Sequence, residues 1–209
     1  MRDCLEFYVS GRWVASATPP IVETIDPATG RPSGHLVLGT EHDVDAAVQA
    51  ARTAAAGYAA MSLQDRMDLL RAILAAYNSR GEELAAAVTA EMGAPLSLSR
   101  KAHVPSGAEH FQNAIDVLKD FRFEEFRGTT LLRLEPIGVC GFITPWNWPL
   151  NQITAMLAPA LAVGCTVVWN PSEFAAFSAR ILAEVLHEAG VPAAGRRLFA
   201  FLRRPAHPR

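Results

Sequence analysis

EPIGVCGFITPWNWPLNQITAMLAPALAVGCTVVWNPSE, running from Glu135 to Glu173, holds no charged residue between its two terminal glutamates. An uncharged run of that length is either buried on all sides or lodged in a membrane. A spanning helix would have to use Ile153 to Trp169, which is barely long enough. Pro145, Pro149, Pro159 and Gly164 interrupt the run, Thr166, Val167 and Val168 form a β-branched cluster, and no basic cluster flanks either end. The pattern instead predicts strand, crossover helix, parallel strand. Ile137 to Thr144 is a short apolar run of the kind buried on both faces of a parallel sheet. Pro149 suits the first turn of a helix, where a missing N–H costs nothing. Ile153, Met156, Leu157, Ala160 and Leu161 then recur at helical spacing, Pro159 predicts a kink, and Gly164 marks the helix end. Cys165 to Trp169 reads as the second strand, giving one right-handed βαβ unit.

Beyond it, Phe177, Ile181, Leu182, Val185 and Leu186 predict an amphipathic helix stopped by Gly190 and Pro192. Before it, Phe7 to Val14 reads as a hairpin turning at Ser10-Gly11, and Val22 to Ile25 as a short strand. Asp26 to Gly30 is turn chemistry. Thr40 with Asp43, Ser62 with Asp65, and Ser79 with Glu82 have the spacing of helix N-terminal caps. A helix closes at Gly93, a further one carries Phe111, Ile115 and Leu118, and Thr129 to Leu134 reads as a strand or extended arm.

The central stretch, together with YVSGRWVAS, DPATGRP and DVDAAVQAAR upstream of it, resembles the NAD(P)-dependent aldehyde dehydrogenases over roughly Phe7 to Pro192. The resemblance implies an α/β fold, an incomplete Rossmann-like cofactor domain with N-terminal hairpin and helices. Residues 1–194 would be the N-terminal part of such a domain, with its first βαβα unit at 137–190, and 195–209 a basic tail outside the family pattern. That tail contains Arg196, Arg197, Arg203, Arg204 and Arg209 and no acid, so it is expected to be disordered. Leu198 to Leu202 sits between arginine pairs and makes a poor central strand. The sheet is therefore expected to lack its third parallel strand, as a reading frame lost near Ala194 would leave it. Apolar surface left open in this way predicts marginal stability.

Aldehyde oxidation in this family, as the resemblance implies, uses a cysteine thiolate on the carbonyl, hydride transfer to a nicotinamide, and a glutamate that activates water. Asn147 matches the family's side-chain donor to the oxyanion, and Ile143, Thr144 and Trp146 match positions lining the cofactor cleft. Asn170, Ser172 and Glu173 match the ribose-binding end. The family has lysine where this chain has Asn170, so a positive charge is missing. Glu173 can accept from ribose hydroxyls and repels a 2′-phosphate, which favours NAD, weakly bound, over NADP. The nucleophile and base of the family fall outside the matched stretch, and no GxGxxG is present. The chain is thus expected to be a family oxidoreductase fragment, inactive alone. The alternatives are a nucleotide-binding or regulatory module pairing with a full-length relative through the Thr129–Leu134 arm, or a helical scaffold.

Composition bounds these readings. Half of the 209 residues are hydrophobic and the formal net charge is −2, which argues against disorder and against a nucleic-acid partner. Three cysteines with no CxxC pair suit a reducing compartment, and the acidic N-terminus is no signal peptide, so a cytoplasmic setting is expected. The expected partners are a small aldehyde in the intact family and a homo- or hetero-oligomer, with neither nucleic acid nor membrane. His103 and His110, seven residues apart, lack the acidic or cysteine neighbours of a metal site, and no metal is expected.

Overall fold

The computed structural model describes residues 2–15, 20–191 and 199–201. Ser10 and Gly11 both take positive φ, 58° and 82°. That is the mirror-image turn whose twist suits a two-residue hairpin. Strands β2 (Glu6–Val9) and β3 (Arg12–Ala15) accordingly pair antiparallel, with Phe7 opposite Val14. In a separate small sheet, β5 (Pro32–Val37) pairs in parallel with β1 (Arg2–Cys4) and antiparallel with β4 (Ile21–Ile25). The turn between β4 and β5 is fixed by Asp26, whose Oδ1 accepts from the Ala28 N–H at 2.8 Å.

Helices follow. Thr40 and Asp43 form a reciprocal capping box at the start of α1 (Glu41–Ala59), and Ser62 caps α2 (Leu63–Ser79). The third cap expected from sequence is not formed. The Ser79 hydroxyl donates back to the Ala76 carbonyl, and α3 (Gly81–Met92) starts after Arg80 with no side-chain cap. Arg80 is used differently. Its guanidinium meets Glu83, Glu184 and Glu188 at 2.7 to 3.1 Å and ties α3 to the last helix. A short α4 (Leu96–Leu98) and a π turn (Ser99–His103) lead into α5 (Val104–Leu118). Strands β6 (Glu124–Arg127) and β7 (Thr130–Arg133) form a hairpin with all eight residues exposed.

The uncharged stretch folds as its spacing predicts, into β8 (Val139–Thr144), α6 (Pro149–Val163) and β9 (Thr166–Pro171), with the helix running on through Pro159. Gly164 ends α6 with φ 95°, a conformation open to glycine. A 3-10 turn (Glu173–Ala175) and α7 (Ala176–Glu188) complete the unit. β8 and β9 are parallel, with Val139 beside Thr166 and Thr144 beside Pro171.

The expectation of a missing third strand is corrected. Phe199–Phe201 forms β10, parallel to β9 and antiparallel to β2, so the sheet has the order β3-β2-β10-β9-β8. The flanking arginines do not prevent this, because three residues suffice for the ladder and the charges fall outside it. The arginines themselves lie outside the described residues, so the tail expectation is untouched there. The architecture is α/β, an incomplete Rossmann-like sheet into which the N-terminal hairpin is built.

The core is closed by large side chains whose polar ends are satisfied. Tyr58 donates to the Leu161 carbonyl at 2.7 Å and Tyr77 to the Val104 carbonyl at 3.0 Å. Tyr8 bonds the His187 ring at 2.8 Å. Burial raises the pKa of both Tyr8 and Tyr77, keeping these phenols neutral. Gly107 lies where α5 crosses α2 and α6, with the Tyr77 hydroxyl and Leu150 occupying the space a Cβ would need.

Candidate cofactor and oxyanion site

In an open parallel sheet the ligand crevice lies beyond the carboxyl ends of the strands. All seven residues picked out by sequence lie at the ends of β8 and β9 or immediately after them. Ile143 and Thr144 end β8, Trp146 and Asn147 occupy the connection to α6, and Asn170, Ser172 and Glu173 lie at and after the end of β9. The register brings the two groups together: Ile143 is paired with Asn170, and the Ser172 N–H donates to the Thr144 carbonyl at 3.0 Å.

Their roles within the fold differ. Thr144 is buried, and its Oγ1 accepts from the Trp169 indole at 3.0 Å, so its side chain faces inward. Ile143 is 81% exposed. Ser172 is the cap of the 3-10 turn, its Oγ accepting from the Phe174 N–H at 3.3 Å and donating to Glu173 at 3.4 Å. Asn147 is exposed, and its amide makes no hydrogen bond to another described residue.

Trp146 and Glu173 share a cavity of about 410 Å³. Its opposite wall was not legible in sequence: β4 supplies Val22, Thr24 and Ile25, and the end of α3 supplies Glu91 and Met92. Glu91 also organises the site from behind. α7 starts at Ala176 without a cap of its own, and the Glu91 carboxylate accepts from the N–H groups of Phe177 and Ser178 at 2.7 and 3.2 Å and from the Ser178 hydroxyl. A carboxylate at a helix N-terminus satisfies orphan donors and complements the helix dipole.

The two histidines weighed as a metal pair have separate partners. His103 is buried in the π turn and stacks on Trp148, with ring centroids 4.1 Å apart. His110 bonds the amide of Asn151, in the first turn of α6, at 3.1 Å. No group of three or more His, Cys, Asp or Glu side chains able to hold a metal occurs among the described residues. The first contact bears on the PWNWP turn and the second on the helix that follows it, and π turns recur at functional sites, a signal that spacing alone does not carry.

All three cysteines are free. Cys4 and Cys165 are buried. The Cys140 thiol is pushed up to about 11 by burial and by neighbouring Cys165, which keeps it protonated at neutral pH. No described helix is long and apolar enough to cross a membrane.

The sequence model of the aldehyde dehydrogenase family matches residues 13–195. The chain is 51% identical over 193 residues to a 3-succinoylsemialdehyde-pyridine dehydrogenase of a Pseudomonas species, spanning 92% of this chain and 40% of that protein. Its structure superposes with TM-score 0.93 on the aldehyde dehydrogenase of Bartonella henselae, at 37% identity over 98% of this chain and 43% of the other. It superposes equally well, TM-score 0.93, on a mutant of aldehyde dehydrogenase C from Pseudomonas syringae solved with NAD+ and octanal. There the identity is 44%, over 96% of this chain and 41% of that one. The chain thus spans about two-fifths of the length of these relatives.

Proposed function

We propose, from the premise that this chain belongs to the aldehyde dehydrogenase family, that it supplies the oxyanion donor and half of the cofactor cradle for NAD-dependent aldehyde oxidation in the cytoplasm. The observation that carries this reading is the gathering of Ile143, Trp146, Asn147, Asn170 and Glu173 at the carboxyl ends of two adjacent parallel strands.

The residues fit a dinucleotide in part. Glu173 has only Ser172 as a described partner, so its carboxylate is free to accept from ribose hydroxyls. Ile143 and Trp146 offer exposed apolar surface beside it. Bound NAD supplies the hydride acceptor. Asn147 presents an unengaged amide to the oxygen of an aldehyde, where a preformed donor contributes about 3 kcal/mol once negative charge develops. None of the three cysteines fits the nucleophile: two are buried and Cys140 is held as a thiol. The chain on its own is therefore expected to bind NAD weakly and not to turn over.

Calorimetric titration with NAD and NADP tests the reading. Asn170→Lys adds the missing cation beside the ribose end and should tighten NAD about tenfold, the scale of one charge-assisted contact of ~1.4 kcal/mol. Lack of any gain in Asn170→Lys, or NADP bound better than NAD, refutes the assignment. So does NADH production by the purified chain that is lost on mutating Cys140 or Cys165.

A further inference from the structure

Cys140 and Cys165 take no part in the site described above, and the β8–β9 ladder brings them together. Cys140 is in register with Val167, and Cys165 stands two positions before Val167. Side chains alternate between the faces of a strand, so Cys140, Val167 and Cys165 share one face. The packing bears this out. Cys165, Val167 and Trp169 belong to the main core, with Cys140 and Phe142 packed against it, whereas Val139 and Val168 turn to the smaller cluster around Phe7 and Ala47. The two thiols are in hydrogen-bond contact. Cys165 is buried and Cys140 only partly so, which makes Cys140 the way in.

Spacing and charge decide what such a pair can hold. Strands ~4.8 Å apart with a rise of ~3.3 Å per residue put the two Cα atoms about 8 Å from one another. A disulfide does not bridge more than ~7 Å unless the backbone moves. One atom interposed between the sulfurs adds a second bond of about 2.3 Å and lifts that limit. Zinc does not suit the position, since it takes four ligands and no group of three or more His, Cys, Asp or Glu able to hold a metal occurs among the described residues. A monovalent soft ion such as Cu(I) leaves its bis-thiolate negatively charged. Around Cys140, burial and the second thiol both act against charge, and no cation offsets them. Trivalent arsenic carrying one organic substituent meets both conditions: two sulfur bonds complete its valence, and the product is neutral.

We propose that Cys140 and Cys165 form a two-sulfur binding site for a monosubstituted trivalent arsenical, closed across the amino ends of β8 and β9. Both thiols add to the arsenic of R–As=O. Two As–S bonds form, the bonds from arsenic to oxygen break, and the oxygen leaves as water with the two thiol protons. Arsenic stays trivalent and both sulfurs stay reduced, so no oxidant or reductant is consumed. The pair lies at the opposite end of these strands from Asn147 and Glu173 and is independent of the cofactor reading.

The test uses the full 209-residue chain, reduced and folded, with phenylarsine oxide as the probe. Intact-mass spectrometry should show one phenylarsenic gained and two hydrogens lost, held against excess mercaptoethanol and released by ethanedithiol. Cys140→Ala and Cys165→Ala should each weaken retention about tenfold or more, and Cys4→Ser should leave it unchanged. A bridge between two strands should also raise the melting temperature of the wild type by ~3 °C or more. Circular dichroism checks that each variant is folded; if Cys165→Ala is not, Cys140→Ala, at the less buried position, decides alone. No adduct in the wild type overturns the proposal, as does full retention by a folded alanine variant or dependence on Cys4. So does a fall in Tm on binding, which marks capture of the unfolded chain. A Cys140–Cys165 disulfide closed in the folded chain by glutathione disulfide defeats the spacing argument and the proposal with it.

Discussion

Glu91 is the residue whose removal should cost most for its size. It reaches from the end of α3 to two backbone N–H groups and a hydroxyl at the start of α7, which has no cap of its own. Replacing a local cap by alanine costs about 1 kcal/mol, and hydrogen bonds to a charged group are worth about 1.5–3 kcal/mol each. Water entering the half-buried gap recovers part of that, so we expect Glu91→Ala to lower stability by about 2–3 kcal/mol. For a chain of this size that is a fall of about 5–10 °C in Tm. Glu91→Gln keeps one acceptor oxygen and loses the charge, and should cost about half as much. Urea unfolding followed by circular dichroism measures both. A loss below about 0.5 kcal/mol in Glu91→Ala, or equal losses in the two variants, refutes the bond-by-bond reasoning.

Three other outcomes follow from the geometry. Gly107→Ala gains helix propensity of ~1 kcal/mol but drives a methyl group into the Tyr77 hydroxyl and Leu150; the net effect should be a destabilisation of about 1–2 kcal/mol, read by thermal melting. Burial lowers the pKa of His103, so the unfolded chain takes up a proton before the folded one does. Stability from this group is full above the ordinary histidine value of 6.5 and is lost as pH falls below it toward the lowered folded value. Tm should therefore drop between about pH 7 and 5, less steeply in His103→Gln, and identical slopes would refute the assignment. The Cys140 thiol, held at about 11, should react with a disulfide reagent at pH 7.5 on the order of a hundredfold more slowly than a free thiol; reaction at the free-thiol rate would reopen its candidacy as nucleophile.

Most of the fold was legible where local chemistry decides it. The hairpin at Ser10-Gly11, the capping box of Thr40 and Asp43, and the glycine ends of α3 and α6 depend on neighbours a few residues away. What sequence missed was decided at a distance. Ser79 lost its capping role because Arg80 is held by carboxylates of α7, more than 100 residues on. β10 reads as a poor strand when judged by its own flanks, yet β9 and β2 offer it partners on both sides. The site divides in the same way. Strand ends and the PWNWP turn placed Asn147 and Glu173, but the β4 wall of the cavity and the His103–Trp148 stack come from elements with no local signature.

The position of β10 also sets the order of events during synthesis. Tyr8 is in register with Phe201, so a strand made early in synthesis has its partner nearly two hundred residues further along the chain. Until then the hairpin of β2 and β3 has no sheet to join, and β8 and β9 stand as a two-stranded ribbon. The nascent polypeptide therefore passes the synthesis of all the residues between them with both elements waiting, an interval in which a chaperone has much to hold.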